Sequence, residues 1–188
     1  MNKNPGKSRL WVDGDAFRAP AGTPLPTTDL FTATSFVDWD AYGAIKAGFQ
    51  VATAQESSNL SVWGDGAYRK KKQDPITTAT LRPVEDTKAS ILTFLQGGSI
   101  AETSTGSGVW EWIAGDDEEF ALLLIARDPG HGSKAYYAPR VTLDKVPDEV
   151  LNDDDLNGYD LAVTFLSPTA GGLPIRRFTD SNPLAATP

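Results

Sequence analysis

Residues 108–128 read GVWEWIAGDDEEFALLLIARD, and the second limb of this stretch decides the fold. From Phe120 to Ile125 both alternating sets are apolar, Phe120, Leu122 and Leu124 against Ala121, Leu123 and Ile125. A strand points successive side chains to opposite faces, so this one must be covered on both sides, as in a sandwich interior. The whole stretch predicts a hairpin with its turn at Gly115-Asp116-Asp117.

Downstream the chain continues as β-structure. KAYYAPRVTLDKV (134–146) and YDLAVTFLS (159–167) are strand-like, the latter with Tyr159, Leu161, Val163 and Phe165 on one face. The tail from Ser167 is loop-like, with one late strand at PIRRFT (174–179).

Upstream lies the one good helix, DTKASILTFLQGG (86–98). Asp86 or Thr87 can cap it, Ile91, Leu92 and Leu95 form a buried stripe, and Gly97-Gly98 ends it. Before it, YRKKKQDPITTATLRPV (68–84) alternates loosely and is interrupted at Pro75 and Pro83. WGDGAY (63–68) has the composition of a tight turn. TSFVDWDAYG (34–43) and AIKAGFQVAT (44–53) suggest short strands around Tyr42-Gly43, and SRLWV (8–12) suggests another. RAPAGTPLPTTD (18–29) holds Pro20, Pro24 and Pro26 and has no periodic apolar face, so it reads as an extended arm crossing a surface. MNKNPGK (1–7) is a polar lead-in.

The expected fold is therefore mainly β: a β-sandwich or partial barrel with one packed α-helix and long extended arms. Residues 1–188 form a single domain, with arms at 1–30, 53–74 and 167–188. Composition agrees, since 13 prolines and 17 glycines chop the 188 residues into short elements. The chain has no cysteine, which excludes a disulfide framework and a thiol nucleophile and fits assembly in a reducing cytoplasm. No apolar run approaches the roughly 20 residues that span a bilayer, and the basic start lacks the apolar stretch of a signal peptide. A net charge of -8 repels nucleic acid overall.

The motifs offer little chemistry. In DDDLNG (153–158), Asp153, Asp155 and Asn157 alternate before a glycine, as in the first half of a calcium loop. The twelfth position, where a bidentate acid is needed, is Thr164, and no helices flank the segment; an acidic turn accounts for it better. GDDEE (115–119) supplies four acids that suit a hairpin tip as well as a hard metal. His131 is the only histidine and has no serine nucleophile motif beside it, so it reads as a loop residue. No phosphate-cradling or dinucleotide fingerprint is present. No catalytic residue, cofactor site or metal site is assigned.

Arg69, Lys70, Lys71 and Lys72 form a basic knot in this acidic chain. It could bind nucleic acid, protect a strand edge, or dock on an acidic patch of another copy. Docking fits best, because the DDEE and DDD runs offer such patches and further basic and stacking residues are sparse around the knot.

Segment order adds a resemblance. APAGTPLP (19–26), FVDWDAYG (36–43), Trp63-Gly64 and ITTATLRPVEDTKASILTFLQGG (76–98) follow one another as in the major tail protein of long, non-contractile-tailed bacteriophages. GYDLAVTFLSPTAGG (158–172) is similar to that family's closing strand. DWDAYG replaces the family's xLGY, and Asp65-Gly66 departs from its plain double glycine.

The resemblance implies a non-enzymatic virion protein, made in the host cytoplasm and located in the tail. Six-fold rings would stack into a tube whose inner strands close into one barrel, meeting tape measure and terminator or tip proteins. Viral DNA would pass through an acidic lumen without specific binding, and no membrane is involved. Pro20, Pro24, Pro26, Trp63, Asp65, Tyr68 and Arg69 to Lys72 would then contact neighbouring subunits. The alternatives are the tube of a contractile injection system and a calcium-dependent β-sandwich binding module.

Overall fold

The computed structural model describes residues 8–61, 63, 67–148, 153–154, 156–169 and 171–182. In chain order the elements are β1 (Asp13–Pro20), β2 (Asp40–Ala41), β3 (Ile45–Ala54), β4 (Ser57–Ser61), β5 (Ala67–Lys72), β6 (Ile76–Pro83), α1 (Lys88–Phe94), β7 (Ser99–Glu102), β8 (Trp110–Ile113), β9 (Phe120–Asp128), β10 (Gly132–Leu143), β11 (Leu161–Phe165) and β12 (Arg176–Thr179). The fold is mainly β with one short helix, as expected.

Eight strands make one antiparallel sheet in the order β2-β1-β9-β10-β11-β6-β3, with β12 added to the free half of β10. β9 lies near its centre, and its two side-chain sets enter two separate cores, as its doubly apolar sequence requires. Phe120, Leu122 and Leu124 pack inward with Ala79, Leu81, Val141, Leu161, Val163 and Phe165. Ala121, Leu123 and Ile125 pack outward with Phe17, Trp39 and Tyr137. Ala16 at one end of the strand order and Phe49 and Val51 at the other share the inner core, so the sheet curls toward a barrel. It does not close. A cleft of about 790 Å³ separates the two ends, lined by Trp11, Asp13 and Asp15 on one side and Ile45 and Phe49 on the other.

The predicted hairpin over residues 108–128 does not form. β8 pairs back onto β7, while β9 runs between β1 and β10. A nine-residue strand buried on both faces needs long apolar neighbours on both edges. The four residues of β8 cannot supply one; β1 pairs with β9 from Asp13↔Arg127 to Pro20↔Phe120. The missed turn is 103–109, where the Glu102 carboxylate accepts hydrogen bonds from the backbone N–H groups of Gly106 and Gly108.

Other differences concern the amino-terminal half. The strand expected at 8–12 begins instead at Asp13, which draws Arg18, Ala19 and Pro20 out of the expected arm and into the sheet. Residues 21–38 then cross the outer face of the same chain's sheet. Gly22 N–H donates to the Pro139 carbonyl (2.8 Å) and Tyr137 Oη to the Thr23 carbonyl (2.7 Å). Leu25, Leu30, Phe31 and Phe36 cover the outer core. Of the strand expected at 34–43, only Asp40–Ala41 forms, with a lone bridge between Phe36 and Trp39. The lead-in 1–7 and residues 183–188 of the carboxy-terminal arm lie outside the described residues.

The helix is shorter than expected and buries a different face. Thr87 caps it, its Oγ1 accepting from Ser90 N–H at 3.2 Å. Ala89, Ser90 and Thr93 are buried, whereas Ile91 and Leu92 are only half-buried; Leu95, just beyond the helix, is buried as expected. The small polar face wins because it meets Tyr42: Tyr42 Oη and Thr93 Oγ1 share a 2.8 Å hydrogen bond, and Thr93 Oγ1 also lies 2.8 Å from the Ala89 carbonyl. A Leu or Ile there would orphan a fully buried hydroxyl. Gly97 does end the helix, with φ +79°. Gly98 is needed for another reason, since a Cβ on it would stand 1.9 Å from the Ile113 carbonyl oxygen.

Candidate assembly interface

β3 and β6 pair as far as Ala54↔Ile76, and beyond that point the same two chain segments continue outward as β4 and β5. Gln73 N–H donating to the Glu56 carbonyl (2.9 Å) joins the two parts of the ribbon. Every residue of β4 is exposed. The ribbon therefore leaves the sheet, and the described residues from Gln55 to Ser61 give it a reach of about 20 Å at ~3.3 Å per residue.

The register divides the four bases. Arg69 stands opposite Leu60 and Lys71 opposite Ser58, on one face; Lys70 opposite Asn59 and Lys72 opposite Ser57 occupy the other. The knot is thus a stripe along both faces of a two-stranded ribbon. None of the four has an acid opposite it, and none has an ion-pair partner among the described residues. Tyr68 lies in a bulge between the Leu60↔Arg69 and Ser61↔Ala67 pairs and is exposed. Trp63 has 105% relative exposure. Asp65 lies outside the described residues. Pro20 and Pro24 are exposed on the main body and Pro26 is half-buried, so the ten interface candidates are split between the ribbon and the 20–26 segment.

The acids behave differently from the bases. In the DDEE run, Glu118 pairs with the buried Arg18. Glu119 takes a two-pronged contact from Arg140 (2.6 and 2.7 Å), and Asp117 accepts from Thr142 Oγ1 (2.7 Å). Hydrogen bonding to Arg140 holds the Glu119 carboxyl below its ordinary range. Three of the four acids thus tie the body together, and only Asp116 is left without a partner among the described residues. This corrects the expectation that DDEE is a free docking patch: its acids sit beside strands that carry arginines. In the DDD run, Asp153 and Asp154 are exposed, while Asp155 lies outside the described residues. Among the described residues no cluster of three acidic or histidine side chains could hold a metal ion.

His131 sits on the β9–β10 turn, half exposed, with Nδ1 3.3 Å from Asp128 Oδ1; the other Asp128 oxygen accepts from Leu10 N–H at 2.9 Å. Asp128 thereby ties the amino-terminal segment to the turn. No nucleophile completes a catalytic arrangement there among the described residues.

Sequence reasoning missed a second exposed element. The β7–β8 hairpin leaves Val109, Trp110, Trp112 and Ile113 each at least 42% exposed. Trp112 touches Phe94 edge-on, with ring centroids 6.2 Å apart. Phe94, Leu95, Gln96, Trp112, Ala114 and Val146 line an apolar cleft of about 500 Å³. Three apolar residues in WEWI, an alternating strand too short for the main sheet, were the available signal.

The geometry describes a body with one bare basic ribbon, one bare aromatic hairpin and no assembled catalytic centre among the described residues. A family model described as phage tail tube protein matches residues 1–183. No curated protein matches the chain.

Proposed function

The chain belongs to the phage tail tube protein family, and on that premise we propose that it builds the tube as stacked six-fold rings of a long, non-contractile tail. The family supports a structural role in the virion tail. The observation that carries the finer reading is the ribbon itself. An unaccompanied chain gains nothing by exposing Trp63 and Tyr68 on a stalk of four bases that have no ion-pair partner among the described residues, because ordering such a segment costs conformational entropy that only contacts can offset. Between copies the same features act as anchor and guide: large aromatics dominate interface energetics, and charge sets register and partner choice. Contacts between unlike surfaces generate rings where the rotation closes and filaments where it does not.

The acidic balance serves the conduit. Net charge is -8 although the ribbon bases are all exposed. With the bases engaged by neighbouring subunits, the lumen is left predominantly acidic. Such a wall repels phosphate and lets DNA slide without the counterion-release affinity of a basic channel. Residues at the ends of the tube meet the tape measure and the terminator or tip proteins.

Negative-stain microscopy of the concentrated protein tests this reading. Hollow tubes built from six-subunit rings are expected; monomers that persist across concentration and salt would overturn it.

A further inference from the structure

The bare ribbon and the bare cleft have matching properties. One is a projection ending in a fully exposed indole; the other is a concave apolar site of about 500 Å³ between α1 and β8, ample for an indole. Their surroundings carry opposite charge. Arg69 to Lys72 line the stalk behind Trp63, whereas Glu111, Asp116 and Asp148 are exposed acids close in the chain to the cleft residues. Asp116 lies two residues beyond the cleft residue Ala114, and Asp148 lies two beyond Val146; both are exposed. Lys145 is the local exception and pairs with Asp148 at 3.8 Å. The cleft is on the body, at the end of the helix, while Trp63 lies beyond the end of β4 and is fully exposed.

We infer that the cleft formed by Phe94, Leu95, Gln96, Trp112, Ala114 and Val146 receives Trp63 from the ribbon of a second copy of this chain. The inference rests on the self-assembly reading and specifies which surface of the neighbour the ribbon meets. Trp112 and Phe94 offer ring edges to the entering indole, and burial of its large apolar surface supplies the attraction. The ribbon bases align beside Asp116 and Asp148, which orients the hairpin before the indole is seated. The contact is heterologous, with ribbon and cleft on different parts of one molecule, so each subunit gives one and receives one. It also explains why Trp112 remains exposed on a hairpin that contributes little to the two main cores.

The absence of cysteine makes a clean test. Two single-cysteine proteins, Ser61→Cys beside the ribbon tip and Gln96→Cys in the cleft, are mixed and treated with a short bismaleimide, and the same mixture is examined by sedimentation and microscopy. The expected result is a covalent heterodimer band together with tubes. The band should fall about tenfold or more when Trp63→Ala is added to the first protein, the scale of losing an interface tryptophan. It should fall likewise with Val146→Glu in the second, with folding of each variant checked by circular dichroism. Tubes without the heterodimer band would overturn this pairing and leave the assembly reading intact. A band without tubes would support the pairing and overturn the tube reading. Neither band nor tubes would overturn both.

Discussion

Tyr42 shows how much one residue settles. It is fully buried between the sheet and the helix, and burial pushes its hydroxyl up to about 12. Tyr42→Phe removes the bond to Thr93 Oγ1, which stays near the Ala89 carbonyl, so a loss of about 1 kcal/mol is expected in urea unfolding. The pH dependence has a defined sign. Between pH 10 and about 12 the unfolded chain loses this proton while the folded chain keeps it, so stability falls as pH rises through that window. The phenylalanine variant should lose that part of the slope, measured by unfolding midpoints at pH 9 and above. Sequence periodicity cannot assign Tyr42 this role, because the partners are Ala89, Ser90 and Thr93 on a helix 46 or more residues away. Their small side chains, two of them hydroxyls, look like a solvent face until the tyrosine is seen against them.

At the scale of elements, β9 and the ribbon are opposites. β9 is buried on both sides, so Leu123→Ala and Leu124→Ala strike different cores, outer and inner respectively. Each should cost about 2–5 kcal/mol, read from denaturant midpoints, because each leaves a cavity in a packed region. The ribbon has no such interior. Reversing Arg69, Lys70, Lys71 and Lys72 to glutamate should leave monomer unfolding within about 0.5 kcal/mol of the parent, because the four bases have no ion-pair partner among the described residues. The same variant should fail to form tubes. Tubes of normal length and yield from it would show that the ribbon charge plays no part in assembly.

For the whole molecule, the relevant quantity is the separation of charge between ribbon and body. The body spends Glu118 and Glu119 on its own arginines and keeps Asp116, Asp148, Asp153 and Asp154 exposed, while the ribbon carries its bases at a distance. Association guided by such a separation is sensitive to screening. The initial rate of tube growth, followed by light scattering, should fall steeply from about 0.1 M to about 1 M salt, as the Debye length shrinks from ~10 to ~3 Å. A rate that is flat over this range would place the driving force in apolar contacts alone. The 21–38 segment shows the converse: its prolines look like an arm for a neighbour, yet the segment covers the outer core of its own chain.

What the sequence determined by itself is local. The continuous apolar run Phe120–Ile125 and the period-two pattern of Tyr159–Phe165 specify strands buried on two faces and on one, since side-chain alternation depends on no other part of the chain. Thr87 and Gly97 bracket the helix by cap and turn chemistry, and the order of motifs carries the family resemblance. Strand pairing belongs to the tertiary structure alone. Whether Phe120–Asp128 pairs with the adjacent WEWI or with Asp13–Pro20, about a hundred residues away, depends on which neighbour can cover a two-sided apolar strand along its whole length. The fate of the acids and bases has the same origin: Glu119 is neutralised by Arg140 because β10 lies beside β9, while Lys70, on a strand that has left the sheet, has no ion-pair partner among the described residues. Such contacts join residues far apart in the chain, and no pattern read along a single segment contains them.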